Sequence, residues 1–349
     1  MPTQQVFPGI LTRAWRAQLQ RFASEKTLCR LWDHDTSLWP AEEHHVAMIK
    51  SNLAWLNLPA GMDGYISHFV DTVVAGRDQT FEHLVIVGMG GSNLAVPALL
   101  HAPEGIAGRR IRLVDNLDPD ALIRLKSEIS FEHTLFAFAS KSGKRIETHA
   151  LLLYFLSNLK AMGIKDPGKH FVVLTQQGSY LHSLGKEYKF RAVVTDPPGI
   201  YSRYLGLLHF GLLQAATSRF DKNQFMGTVK AMAVACGPTG VPADNPAPLL
   251  ASFLAAGPGQ GWNRLMLLRG PELVHFGYRI AQLVGISTTG NGRGLVSFFG
   301  QPSYPLETLE KNSLAVILSM EGQSKDSLGQ LGQLRHLGVP VTMAPFDCI

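Results

Sequence analysis

Between residues 84 and 194, short runs of continuous apolar sequence alternate with longer stretches of helical periodicity, and few folds accommodate that pattern. The runs are Leu84–Gly88, Ile111–Val114, Thr134–Ala139, Phe171–Thr175 and Ala192–Val194. They are rich in Val, Leu, Ile and Phe, without the apolar–polar alternation of a strand that has one wet face. A strand apolar on both sides must be covered on both sides, so the runs predict a parallel sheet between two layers of helices. The intervening segments suit the covering helices, notably Asn93–Leu100, Ile146–Ala161 and Tyr201–Ala216.

A second series follows: Arg264–Leu268, Leu295–Phe299, Ser313–Met320 and Val339–Met343, with a helix over Pro271–Val284. The two lobes share this architecture without a clear sequence repeat. Between them, Asp221–Pro248 reads as a helix and then an irregular linker, because Gly237, Pro238, Gly240, Pro242, Pro246 and Pro248 crowd its second half. Residues 5–80 read as helical. Leu11, Trp15, Leu19 and Phe22 recur at helical spacing, and Ala41–Trp55 and Tyr65–Val74 form two further candidates. Trp32, Trp39 and Trp55 are expected to pack these helices. The expected fold class is α/β: two doubly wound parallel-sheet lobes, each of three α/β/α layers, at residues 81–220 and 221–349, with a helical segment at residues 1–80 packing on them. The chain ends a few residues after its last expected strand, where such a lobe usually continues into a covering helix, so the C-terminus reads as short.

The 349 residues are 46% hydrophobic and 17% charged, enough to bury a sizeable core and unlike a disordered chain. The net charge of +5 is dispersed, with no basic run, so neither a nucleic-acid nor a membrane surface is indicated. A mild positive balance suits a small anionic ligand. Cys29, Cys236 and Cys348 are odd in number and far apart, without CxxC or Cys/His spacing, which argues against a disulfide framework, a zinc site or another metal site. No cofactor motif is present. With no signal-like N-terminus and no apolar run of about 18 residues, the sequence reads as soluble and cytoplasmic.

Two loops carry chemistry. Gly88-Met89-Gly90-Gly91-Ser92-Asn93 is a glycine-rich turn from strand to helix. Its glycines allow close backbone approach, and the helix start offers free N–H groups to an anion. The spacing is not that of a dinucleotide-binding turn, and a plain tight turn also fits it. Ala139-Ser140-Lys141-Ser142-Gly143-Lys144-Arg145 also follows a strand and opens a helix. Two hydroxyls and three cations within six residues suit a phosphate cradle. A solvated basic helix start is the alternative, but cations are disfavoured there unless an anion compensates them. Both loops fall at carboxyl ends of strands in one lobe, where open α/β sheets bind ligands. The scattered histidines, His133, His149, His170, His182, His209 and His275, read as structural or surface residues.

With these segments in hand, the chain resembles the glucose-6-phosphate isomerase family, which is built from paired sugar-isomerase (SIS) domains. It is most similar to the isomerase half of bifunctional transaldolase/glucose-6-phosphate isomerases. Leu31-Trp32-Asp33-His34-Asp35-Thr36-Ser37-Leu38-Trp39 is similar to that subfamily's Trp/Asp/Leu-Trp segment. Gly88–Ser92 is similar to the family's first glycine-rich loop, Ser140–Gly143 to its phosphate loop, and Gly199-Ile200-Tyr201-Ser202 to its Gly-Arg-Tyr/Phe-Ser signature. A weaker likeness runs from Gly285 to the end. The resemblance implies SIS-type lobes. It implies a sugar phosphate such as glucose 6-phosphate or fructose 6-phosphate contacted by Ser92, Ser140 and Ser142, with Arg145 standing where the family usually has a phosphate-binding hydroxyl. The loop chemistry read above adds Gly90, Gly91, Lys141 and Lys144 to the candidate set. The resemblance implies no cofactor, and either a homodimer or a hetero-partner isomerase or transaldolase.

The departures fall on the chemistry. Enediol isomerisation needs a base and a cation at the developing oxyanion. Where the family places a Glu base this chain has Ile286, and where it places the signature Arg this chain has Ile200. Leu306-Glu307-Thr308 stands near the ring-opening His segment without a His. The family's catalytic Lys would follow Phe346-Asp347, but the sequence stops at Ile349. Arg203, one helical turn after Ile200, and Glu307 are the candidate replacements. The expected function is therefore phosphosugar binding at a degenerate isomerase site, as a sensor, scaffold or partner subunit. The alternative is an active aldose–ketose isomerase with relocated or partner-supplied residues.

Overall fold

The computed structural model describes residues 4–39, 41–74, 81–89, 110–195, 222–239, 244–288, 294–299, 305–309, 311–320 and 324–346. Among them are ten strands: β1 (Gln5–Phe7), β2 (His83–Gly88), β3 (Arg110–Val114), β4 (Thr134–Ala139), β5 (Phe171–Thr175), β6 (Ala192–Thr195), β7 (Arg264–Arg269), β8 (Val296–Phe299), β9 (Ser313–Met320) and β10 (Val341–Phe346). The fold is α/β, with parallel sheets carrying helices on both faces. The expected helices Asn93–Leu100 and Tyr201–Ala216 lie outside the described residues.

The chain forms two compact units, residues 57–226 and residues 1–56 with 227–349. The stretch 1–80 is thus shared between them, with the helix Leu58–Val74 beginning one residue inside the first-named unit.

In residues 57–226 the strand order is β3-β2-β4-β5-β6, all parallel. Alternate residues of each apolar run serve opposite faces. Val85 and Val87 of β2 and Phe136 and Phe138 of β4 join a core with Leu151, Leu152 and Phe155 of the helix Ile146–Ala161. Leu84, Ile86, Leu135 and Ala137 point the other way, into a core flanked by Tyr65 of Leu58–Val74. Continuous apolar sequence is therefore what a doubly covered sheet requires.

In the other unit the order is β8-β7-β9-β10-β1. The winding repeats that of the first sheet, except that the fifth place is taken by β1, antiparallel to β10, with Val6 opposite Thr342. This corrects the helical reading of residues 5–80. Val6 packs on one core and Phe7 on the core behind the sheet, a period of two that only a strand gives. The linker reading is also corrected at its end. Pro246 and Pro248 do not break structure but open the helix Pro246–Ala256, where a missing N–H costs nothing, and Asn245 caps it by accepting from Ala247 N at 3.0 Å. A helix at Ser324–His336 covers the β9–β10 face through Leu331 and Leu334.

The aromatic segment 31–39 ends the helix Thr27–Trp32 and carries the short 3-10 turn Thr36–Leu38. Asp35 accepts from Ser37 N at 2.9 Å and pairs with Arg30 at 2.7 Å. The Ser37 and Arg30 hydrogen bonds lower its pKa to about 2. Trp32 donates its indole N–H to the Cys236 carbonyl at 3.1 Å, whereas Trp39 is exposed rather than packed.

Candidate functional site

The strand order places the site. From β2 the chain steps to β3 on one side, then returns to β4 on the other, so winding reverses between β2 and β4. Ligands of open α/β sheets bind outside the carboxyl ends of the strands at such a reversal. Gly88 and Ala139, the last residues of β2 and β4, are register partners. The chain thus leaves the sheet at the same level after Gly88 and after Ala139.

The second loop is held by its neighbour strand. Ser140 N donates to Leu174 O, and Gln176 N to Lys141 O, each at 3.0 Å. Thr175, fully buried at the end of β5, donates its hydroxyl to Ser140 O at 2.7 Å. Its oxygen lies 2.7 Å from Ser179 Oγ, which in turn accepts from His182 N at 3.1 Å at the start of the helix Tyr180–Glu187. A hydroxyl relay therefore runs from that helix into the loop backbone. Gly143 sits at φ +61°, and a Cβ there would come within 3.0 Å of Leu181 N, so the turn needs glycine. His149 Nε2 hydrogen-bonds the Gly143 carbonyl, and its ring lies 4.6 Å from that of Tyr180.

These contacts leave a depth gradient. Ser140 is buried, Lys141 partly buried, and Ser142, Lys144 and Arg145 are set out along the loop, with both cations exposed. The helix Ile146–Ala161 starts without a side-chain cap, so its first N–H groups have no side-chain acceptor. Thr148, in its first turn, is fully buried and its hydroxyl has no hydrogen-bond partner. It lies on the buried face of the helix, one turn before Leu151 and Leu152. Uncapped N–H groups and cations at a helix start are the kind of groups that anions favour. Thr148, Thr175, Ser179 and His149 were not singled out in the sequence as site residues. Hydroxyls at a strand end and a helix start are the only local hint of such a relay.

Gly90, Gly91, Ser92, Ile200 and Arg203 lie outside the described residues. Glu307 is exposed on the short turn Leu306–Thr308. Ile286 sits in the last turn of the helix Val274–Thr288, 45% exposed. Among the described residues no group of His, Cys, Asp and Glu could hold a metal ion, and no helix is long and apolar enough to cross a membrane.

Comparison with known proteins agrees with this geometry. Residues 60–204, which contain both loops, match the phosphoglucose isomerase family profile. Glucose-6-phosphate isomerase of Carboxydothermus hydrogenoformans is 28% identical over 268 residues, 72% of this chain and 57% of that protein. Over residues 60–204 the chain is similar to the glucose-6-phosphate isomerase family. It spans little more than half the length of that relative, and the family match ends at residue 204, before β7. Solved structures share the fold. The crystal structure of a glucose-6-phosphate isomerase from Chlamydia trachomatis matches with a TM-score of 0.69 at 18% identity, over 92% of this chain and 69% of that one. A hypothetical protein from Thermus thermophilus matches with a TM-score of 0.76 at 18% identity, over 98% of this chain and 88% of that one.

Proposed function

We propose that this relative of the glucose-6-phosphate isomerase family binds sugar phosphates at the Ser140–Arg145 cradle without efficient isomerisation, serving as a metabolite sensor, scaffold or partner subunit. The observation that carries the reading is Ile286. It is a solvent-accessible apolar side chain at the position where the family resemblance expects the carboxylate base. A side chain with no lone pair or proton can neither take nor return the migrating proton. Ile200 in the signature segment and the missing His near Glu307 support the same conclusion. The ligand in this reading is glucose 6-phosphate, fructose 6-phosphate or a close relative. The protein works in the cytoplasm, as a homodimer or beside an active isomerase or transaldolase.

The test is a coupled assay with fructose 6-phosphate alongside calorimetric titration of the same sample. Binding is expected, with turnover at least about a hundredfold below a common enzymatic rate of about 10 per second. Lys141→Met is expected to weaken binding about tenfold to a hundredfold, the value of a charge-assisted contact. Turnover at an ordinary rate would overturn the reading and make Arg203, Glu307 or a residue of a second chain the replacement machinery.

A further inference from the structure

The cradle carries more positive charge than one phosphate uses. Lys141, Lys144 and Arg145 lie within five residues of one another at the start of a 16-residue helix, a place where cations are destabilising unless neutralised. Glu147 is the one acidic residue of that helix's first turn. No ion pair found among the described residues involves Lys144 or Arg145, and both are exposed. The loop is graded in depth. Its inner part has buried Ser140 and partly buried Lys141, and the helical turn that follows holds the unpartnered, fully buried Thr148 hydroxyl. Its outer part, past the left-handed turn at Gly143, presents the two cations to solvent. The Lys144 amide donates to Ser142 Oγ at 3.3 Å, which fixes the turn between the two parts. One anionic group at the inner part leaves the outer pair uncompensated.

We propose that the site selects a sugar carrying two anionic groups, a bisphosphate or a phosphorylated sugar acid. One phosphate sits at Ser140, Lys141 and the helix start, and the second phosphate or carboxylate pairs with Lys144 and Arg145. This rests on the sugar-phosphate reading above and names its ligand class. A planar guanidinium beside a flexible ammonium accepts either a carboxylate or a phosphate.

Calorimetry on the full chain with fructose 6-phosphate, fructose 1,6-bisphosphate and 6-phosphogluconate tests it. One or both doubly anionic ligands should bind about tenfold or more tighter than fructose 6-phosphate. In the double variant Lys144→Thr/Arg145→Thr that ratio should fall toward one, with an unchanged melting temperature confirming the fold. Equal affinities for all three ligands, or a preference that survives the double variant, overturns the inference and leaves sugar-phosphate binding standing. Binding of none of the three overturns the sugar-phosphate reading and the inference with it.

Discussion

At the scale of single residues, the proposed cradle is held in shape by groups outside its candidate ligand set. Thr175 is the clearest case. Its hydroxyl bridges Ser179 to the Ser140 carbonyl in a fully buried setting. Thr175→Val keeps the shape and removes the donor, leaving buried acceptors unmet at a cost of about 1–3 kcal/mol. Urea denaturation should show that loss, and affinity for fructose 6-phosphate should fall with it because the loop loses its anchor. Thr175→Ser should recover most of both. If Thr175→Val weakens stability but leaves affinity intact, the relay supports the fold and not the cradle. Ser140, Lys141 and Ser142 were legible as candidate ligands because hydroxyls and a cation follow an apolar strand within one loop. Thr175 and Ser179 were not, because their role depends on β4 and β5 being neighbours, which sequence spacing does not state.

At the scale of elements, legibility followed length and local consistency. Thr134–Ala139, Phe171–Thr175, Ser313–Met320 and Ile146–Ala161 have the bounds that their apolar patterns predict. β1 was missed because three residues cannot display a period of two against a helical background. The helix Ser324–His336 was missed because Gly329 and Gly332 lower its propensity and only a narrow stripe with Leu331 and Leu334 is buried. Tertiary contacts decide both. Phe7 of β1 packs on the core beneath that helix, with the Arg335 guanidinium 4.2 Å from the centre of its ring. Phe7→Ala should cost about 2–4 kcal/mol from lost burial and cation–π contact, read as a lower urea midpoint. A change under about 0.5 kcal/mol would mean that β1 is an ornament on the sheet edge and not part of the fold.

At the scale of the whole molecule, residues 57–226 are inserted into the chain of the other unit, whose sheet needs both early and late sequence. Gln4 bonds Thr342 across 338 positions at 3.1 Å. Closing so long a loop is entropically costly, and a folded insert shortens the effective loop. Ligand energy entering at Ser140–Arg145 is therefore expected to act first on residues 57–226. Because Ser140 N and Thr175 tie the loop to β5, a bound ligand should stabilise the sheet and not the loop alone. At a hundredfold excess over Kd, mass action gives about 2.7 kcal/mol, or about a hundredfold slower exchange for amides that open only on unfolding of this unit. Hydrogen exchange with saturating fructose 6-phosphate should show that slowing in β2, β4 and β5. Protection confined to residues 140–149 would mean that the loop opens independently of its sheet, and the hydroxyl relay would not be the coupling it is argued to be.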